Sequence, residues 1–375
     1  MKAILKFALA VAMICLTILP GCKKEVAPDS PLDQQSTVAD AASHAPDVIV
    51  HQGGSIQAAI NGAENGSIIQ IEPGTYNEAI VVNKPGIQLI GSGDGVVIQN
   101  PGDEENGITV RDNGDGFVLK NVTVQNFEEN GVFLIRVDNF LLSHVSAIND
   151  GEYGLFPVFC THGVIEHCTA TGHTDTGIYV GQSSDVQMKF NTAYANVNGL
   201  EVENSSNVTV SKNQSYDNVA GLLVIVLPGL TIKTTSNIVV ANNHVYNNNH
   251  VNFAEPGNGF ENFVPSGSGI LIVGANQTTV EDNNVSGNNF VGIATVSTLI
   301  LGALAGIPPE AFADIEPNPD GDKIVSNVLN NNGSSPPPGI PLPGVDLLWD
   351  GSGTNNCWKS NIYSTSYPSS LPSCN

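Results

Sequence analysis

The chain is predicted to be all-β, a single-stranded right-handed parallel β-helix, and three observations predict it. First, a glycine followed by an apolar residue recurs at Gly107, Gly131, Gly154, Gly177, Gly199, Gly221, Gly269 and Gly292, with gaps of 24, 23, 23, 22, 22, 48 and 23 residues. Self-similarity at a fixed period of this size marks a solenoid. Second, the units read alike, as in GIYVGQSSDVQMKFNTAYANVN (Gly177 to Asn198) and GLEVENSSNVTVSKNQSYDNVA (Gly199 to Ala220). Third, apolar residues alternate in short runs, such as Ile178 with Val180 and Val208 with Val210, between Asn, Ser and Gly turns. That pattern is strand and turn with no room for a helix in the coil. About ten coils are expected.

The first 22 residues read as an export leader. Lys2 and Lys6 form a positive start, and Phe7 to Leu19 form an apolar run too short to span a bilayer. Leu19-Pro20-Gly21-Cys22 resembles a bacterial lipobox, which makes Cys22 the expected lipidation site. Acyl chains there would anchor the protein to a membrane. Lys23, rather than an inner-membrane retention aspartate, follows the cysteine, so the outer membrane or cell surface is the expected location. Lys23 to Pro46, rich in Ala, Ser, Asp, Gln and Pro and without aromatics, reads as a flexible tether. Residues 47–375 form the expected β-helix domain with a C-terminal cap. A solenoid can run to this length because each coil contacts only its neighbours.

Ser55 to Ala63 carries Ser at an N-cap position and apolar residues at helical spacing, a short helix closing the first coil. At the other end Cys357 and Cys374 bracket a Pro/Ser-rich tail and are expected to pair in an oxidising compartment. Cys160 and Cys168 fall on different turns of one coil, and Cys168 is expected to be buried and inert.

The formal net charge is −23, more negative still once Lys2 and Lys6 leave with the leader. Such a surface repels nucleic acid and argues against it as a partner. A polyuronate is also an anion, so binding one would need a bridging cation such as Ca²⁺ or a local basic patch. The arginines available are Arg111 and Arg136 alone.

Aligning the coils stacks side chains into columns about 4.8 Å apart. One column runs Val122, Val145, Cys168, Asn191, Asn213, Asn243, Asn283, and its polar half is expected to be a structural asparagine ladder. The next runs Asn121, His144, His167, Phe190, Lys212, Asn242, Asp282. His144 and His167 lie on adjacent coils, but two imidazoles are a weak metal site and read as solvated surface residues.

The candidate site lies at the turn before the repeated glycine and on the strand after it. Asp150 and His173 occupy matching turn positions, with Glu152, Tyr153 and Asp175 nearby. Phe156, Tyr179 and Glu201 occupy matching outward strand positions, with Glu203 two residues on. Carboxylates with an imidazole suit general acid/base work or Ca²⁺ binding, and exposed aromatics suit stacking on sugar rings. His173, Asp175, Tyr179, Glu201 and Glu203 are the candidate catalytic groups. Asp150, Glu152, Tyr153, Phe156 and Gln182 are the candidate contacts. The competing reading is a solvated polar face on an acidic protein.

Insertions break the period at Leu227 to Thr235, Ala254 to Ser268 and Thr298 to Asp322. Loops on a rigid scaffold are where binding tends to sit. Leu299 to Ile307 is apolar enough either to pack over the coil wall or to meet a protein partner.

The runs EYGLFPVFC (Glu152 to Cys160), GIYVGQS (Gly177 to Ser183), GLEVENS (Gly199 to Ser205) and NCW (Asn356 to Trp358) resemble bacterial right-handed parallel β-helix repeat proteins of the pectin-lyase-like superfamily. The likeness covers roughly residues 48 to 375 and implies fold more than activity. More distant relatives include mannuronan C5-epimerases and polysaccharide lyases. The epimerases carry D-P-H-D after a Tyr-Gly-aliphatic lead. Here Tyr153-Gly154-Leu155 is followed by Phe156-Pro157-Val158-Phe159, so the acids and histidine are replaced by apolar residues. An epimerase or lyase built on this chain would need its base elsewhere, for example His173 or Tyr179. The sequence points to an envelope-anchored protein that binds or processes polysaccharide along one coil face. The alternatives are a structural or adhesive surface protein acting through its loops, or a lyase or epimerase with a non-standard base.

Overall fold

Residues 45–375, apart from 112 and 258, are described by a computed structural model. The predicted leader, the lipidation site Cys22 and nearly all of the predicted tether lie outside the described residues. Pro46–Asn375 forms one unit.

Within it the coils follow one course, except that Val118–Gln125 and Leu141–Ile148 are single eight-residue strands where other coils have two. One strand enters an 11-stranded wall, and two shorter strands enter a 20-stranded sheet that wraps the rest of the coil. Thr176–Gly181, Gln187–Lys189 and Thr192–Tyr194 make one such coil, and Asn198–Glu203, Thr209–Ser211 and Gln214–Tyr216 make the next. All pairing between coils is parallel and in step: Ile178 faces Leu200, Met188 faces Val210, and Ala193 faces Ser215. Inward positions therefore stack like on like. Leu155, Ile178, Leu200, Leu222, Ile270 and Ile293 form one apolar column of a continuous core.

The corners explain the rest of the sequence pattern. The column Asn121, His144, His167, Phe190, Lys212, Asn242, Asp282 is a bend in which every residue has φ between 54° and 59°. Left-handed backbone turns these side chains outward, which is why residue type varies along the column. His144 and His167 are exposed, with ring centroids stacked 4.9 Å apart, and Phe190 continues the stack at 5.0 Å.

The residue after each bend turns inward. Asn213 Nδ2 donates to Asn243 Oδ1 at 3.0 Å, Asn243 to Asn283 at 3.0 Å, and Asn283 to Asn327 at 2.9 Å. Each of these amides also donates to a backbone carbonyl of an earlier coil, as Asn213 does to Met188. Cys168 opens the column, buried and unpaired like Cys160, and burial pushes both thiols up to about 12.

A second ladder runs parallel to the first through Asn196, Asn218, Asn248, Asn288 and Asn332, with amide-to-amide bonds of 2.9 to 3.1 Å. It accounts for the glycine period. A Cβ on Gly177 would lie 2.7 Å from Asn196 Nδ2, and one on Gly199 would lie 2.8 Å from Asn218 Nδ2 and 2.6 Å from the Gly221 carbonyl oxygen. The glycine recurs because each coil brings backbone against the ladder.

The ends are closed as expected. Ile56–Gly62 is a helix capped by the Ser55 hydroxyl, with Ile56 and Ile60 plugging the first coil. Cys357 and Cys374 are disulfide-bonded, with Cα atoms 4.8 Å apart. Of the insertions, the third forms a helix, Thr298–Leu304, that lies on the outer face of the 11-stranded wall. Leu299 packs with Val226, Phe312 and Ile315, and Leu301 with Leu271 and Val296. Leu299 to Ile307 thus packs on the wall, one of the two roles open to it. Lys233 and Asp314 pair, tying the first insertion to the third.

Candidate functional site

Side chains of a strand alternate between its two faces. With Ile178, Val180, Leu200 and Val202 in the core, Tyr179, Glu201 and Glu203 point away from it, and Tyr179 is the register partner of Glu201. These outward groups are nonetheless shielded: Tyr179 and Glu201 are 5% exposed, and Asp175 and Glu203 8%. The second insertion roofs them. Its short 3-10 turn, Glu261–Phe263, brings Glu261 within hydrogen-bonding reach of Asp175.

The result is a shielded cluster of four carboxyl groups and two phenols, Tyr179 and Tyr153. Tyr179 OH donates to Glu203 Oε1 at 2.7 Å. Thr176 Oγ1 lies 2.9 Å from Asp175 Oδ1 and 2.5 Å from Glu201 Oε2, and Asn198 Nδ2 donates to the same Glu201 oxygen at 3.1 Å. Burial, then Glu261 and Glu201, push the Asp175 carboxyl well above the usual range. Burial and Glu203 do the same to Glu201. Glu203 and Glu261 are raised to about 7, chiefly by burial. The charged neighbours acting on all four are acidic, so near neutral pH the cleft retains protons. Among the described residues no group of three or more His, Cys, Asp or Glu side chains converges to hold a metal ion.

The aromatic residues form a cluster rather than the exposed stacking platform expected. Tyr153 and Phe156 stack with centroids 4.0 Å apart, Phe133 lies 5.4 Å from Phe156, and Tyr179 lies 4.9 Å from it. Their faces are spent largely on one another. Glu152 sits half-buried at the rim and adds its charge to Glu261.

Two expected members lie elsewhere. Asp150 and His173 are 0% exposed and occupy the inward ladder position, where Asn196 stands one coil further on. Asp150 Oδ1 accepts from Phe127 N at 3.0 Å, Oδ2 has no partner, and burial raises the carboxyl to about 8. His173 Nδ1 lies 2.9 Å from the Asp150 carbonyl oxygen and Nε2 3.3 Å from that of Ala147. Burial lowers its pKa to about 4. A ring enclosed by the coil cannot reach a ligand outside it, so neither residue joins the cleft. Gln182 is also committed, its Oε1 accepting from Thr231 N at 2.8 Å and Ile232 N at 3.2 Å to hold the first insertion in place.

A family model described as "Right handed beta helix region" matches residues 106–228. No curated protein matches. Among solved structures, the A-module of mannuronan C-5 epimerase AlgE4 from Azotobacter vinelandii is similar over 82% of this chain and 90% of its own, at 17% identity and a TM-score of 0.56. An alginate lyase from Paenibacillus sp. FPU-7 is similar over 82% and 99%, at 13% identity and 0.54. DFA-IIIase from Arthrobacter chlorophenolicus A6, in complex with GF2, is similar over 79% and 77%, at 13% and 0.54. The fold is a right-handed parallel β-helix.

In this β-helix, sequence reasoning missed Glu261, Thr176 and Asn198. Glu261 lies in an insertion, outside any period that could align it with Glu201. Thr176 and Asn198 were visible as register partners beside the repeated glycine, and the signal was their recurrence at that position on successive coils.

Proposed function

We propose that the protein binds or processes a neutral polysaccharide along the outer face of the 11-stranded wall, at the cleft of Asp175, Tyr179, Glu201, Glu203 and Glu261. The observation that carries this reading is the convergence of Asp175, Glu201, Glu203 and Glu261 with the Tyr179 hydroxyl on one stretch of wall, where burial and acidic neighbours raise every carboxyl. Such groups both donate to and accept from sugar hydroxyls. A mannuronan, as a polyuronate, would meet repulsion here once any of them ionises. The epimerase and lyase neighbours support carbohydrate as the ligand class, while the cleft favours an uncharged one. Paired carboxyl groups are also what general acid/base glycoside chemistry uses.

The test is a glycan-array screen of residues 47–375, with and without Ca²⁺, repeated on Glu201→Gln combined with Tyr179→Ala. Binding to neutral glycans that the double variant loses, with the melting temperature retained, supports the cleft. Binding unchanged by both substitutions moves the functional surface to the insertions.

From the lipobox-like Leu19-Pro20-Gly21-Cys22 we further propose an outer-membrane or cell-surface protein anchored by acyl chains on Cys22. A Cys22→Ser variant that still partitions with the membrane fraction would refute the anchor.

A further inference from the structure

The roof over the acid cleft also closes a second compartment. Glu261 faces the carboxyl groups, whereas Val264 and Pro265, three and four residues on, face a cavity beside them. The change in wall chemistry takes a single coil. Glu201 has Leu223 as its register partner and Glu203 has Ile225, and both of these aliphatic residues line the cavity. Parallel partners lie about 4.8 Å apart, so acid and hydrocarbon surfaces abut under one roof.

The cavity has a volume of about 60 Å³, and every lining side chain is apolar. The wall supplies Leu271 and Ala294, and the Thr298–Leu304 helix supplies Leu301 and Leu304. A single water needs roughly 10–15 Å³ together with two or more polar partners. There is room for several waters and nothing to hold them, which is the condition for a dry site that gains from an apolar occupant.

Resting on the reading of the acid cleft as a glycan site, we infer that this cavity takes a short alkyl or acyl substituent carried on that glycan. The sugar hydroxyls meet Glu201, Glu203 and Glu261 while the substituent enters between Leu223 and Leu304. The ligand class is thereby narrowed to neutral saccharides bearing a small apolar group.

The test uses residues 47–375 and a series of n-alkyl β-glucosides from methyl to octyl, with n-hexanol as a sugar-free probe, read by calorimetry. Affinity should rise about fourfold per methylene, up to a cut-off where the cavity is full. Ala294→Leu, which fills the cavity from the wall, should abolish the chain-length dependence. Leu304→Ala, which enlarges it from the insertion and spares the coil, should move the cut-off to longer chains. No chain-length dependence in the unaltered protein, alongside intact binding of unsubstituted glycans, overturns this inference and leaves the glycan reading standing. If n-hexanol binds as tightly as hexyl glucoside and Glu201→Gln weakens neither, the cavity serves no saccharide. That result overturns the inference together with the glycan reading.

Discussion

Tyr179 and Glu203 sit on adjacent coils and share a 2.7 Å hydrogen bond, both outside the apolar core and both shielded from solvent. Their register follows from the coil repeat, while an insertion carrying Glu261, 58 residues after Glu203 and 82 after Tyr179, shields them. The cleft is therefore a joint product of a periodic scaffold and a non-periodic roof.

That dependence makes the roof sensitive to pH. Glu203 and Glu261 have folded pKa values near 7, raised from an ordinary 4.5. Carboxyls raised on folding stabilise most fully below the unfolded value, and the contribution is lost as pH rises through the folded one. Thermal stability should fall between about pH 5 and 8, by up to about 1.4 kcal/mol per pH unit for each fully shielded group. Glu261→Gln should flatten the slope. A melting temperature independent of pH across that range would contradict it.

The ladder predicts a further pH response at Asp150, where burial holds the carboxyl at about 8 in a column that continues through His173 into asparagines. Replacing Asp150 with Asn should raise the melting temperature at pH 8 and change it little well below pH 3.8, where the acid is protonated in both folded and unfolded chains. Equal effects at the two pH values would show that the carboxyl is not buried as described.

Asn213 passes hydrogen bonds to Asn243 and Met188 and accepts one from Asn191 N. Asn213→Leu leaves those partners unsatisfied in a buried corner, at about 1–3 kcal/mol for each group stranded. Urea denaturation should show a lower midpoint with an unchanged slope, and an unshifted midpoint would refute a structural ladder.

His173→Asn separates scaffold from site. Asparagine is the residue of the coils that follow at this position, Asn196 and Asn218, so the variant should fold and keep full glycan binding. Loss of binding by a well-folded variant would return His173 to the functional surface.

Much of this architecture was legible in the sequence because a solenoid writes its contacts as periodicity. The glycine interval, the ladder from Asn191 to Asn283 and the Tyr179–Glu201 register all followed from aligning coils. Orientation at the corners was harder to read. Asp150 and His173 follow a bend whose left-handed residue, Asn149 or Gly172, turns the next side chain inward, and alternation alone gives the wrong face there. Glu261 was illegible for the opposite reason, since an insertion has no period and its fold-back depends on packing by Phe260 and Val264.

The two asparagine ladders have a consequence for how such a chain can change. Because each coil hands the same set of bonds to the next, a cut from Gly199 to Ala220 would rejoin Asn191 to Asn243 and Asn196 to Asn248 with both ladders in step. It would also remove Glu201 and Glu203 together and set Leu223 directly against Tyr179. Two of the four carboxyls thus travel on a single exchangeable coil, and a lineage could lose or acquire that pair as one cassette while Asp175, Glu261 and the scaffold on either side keep their sequence.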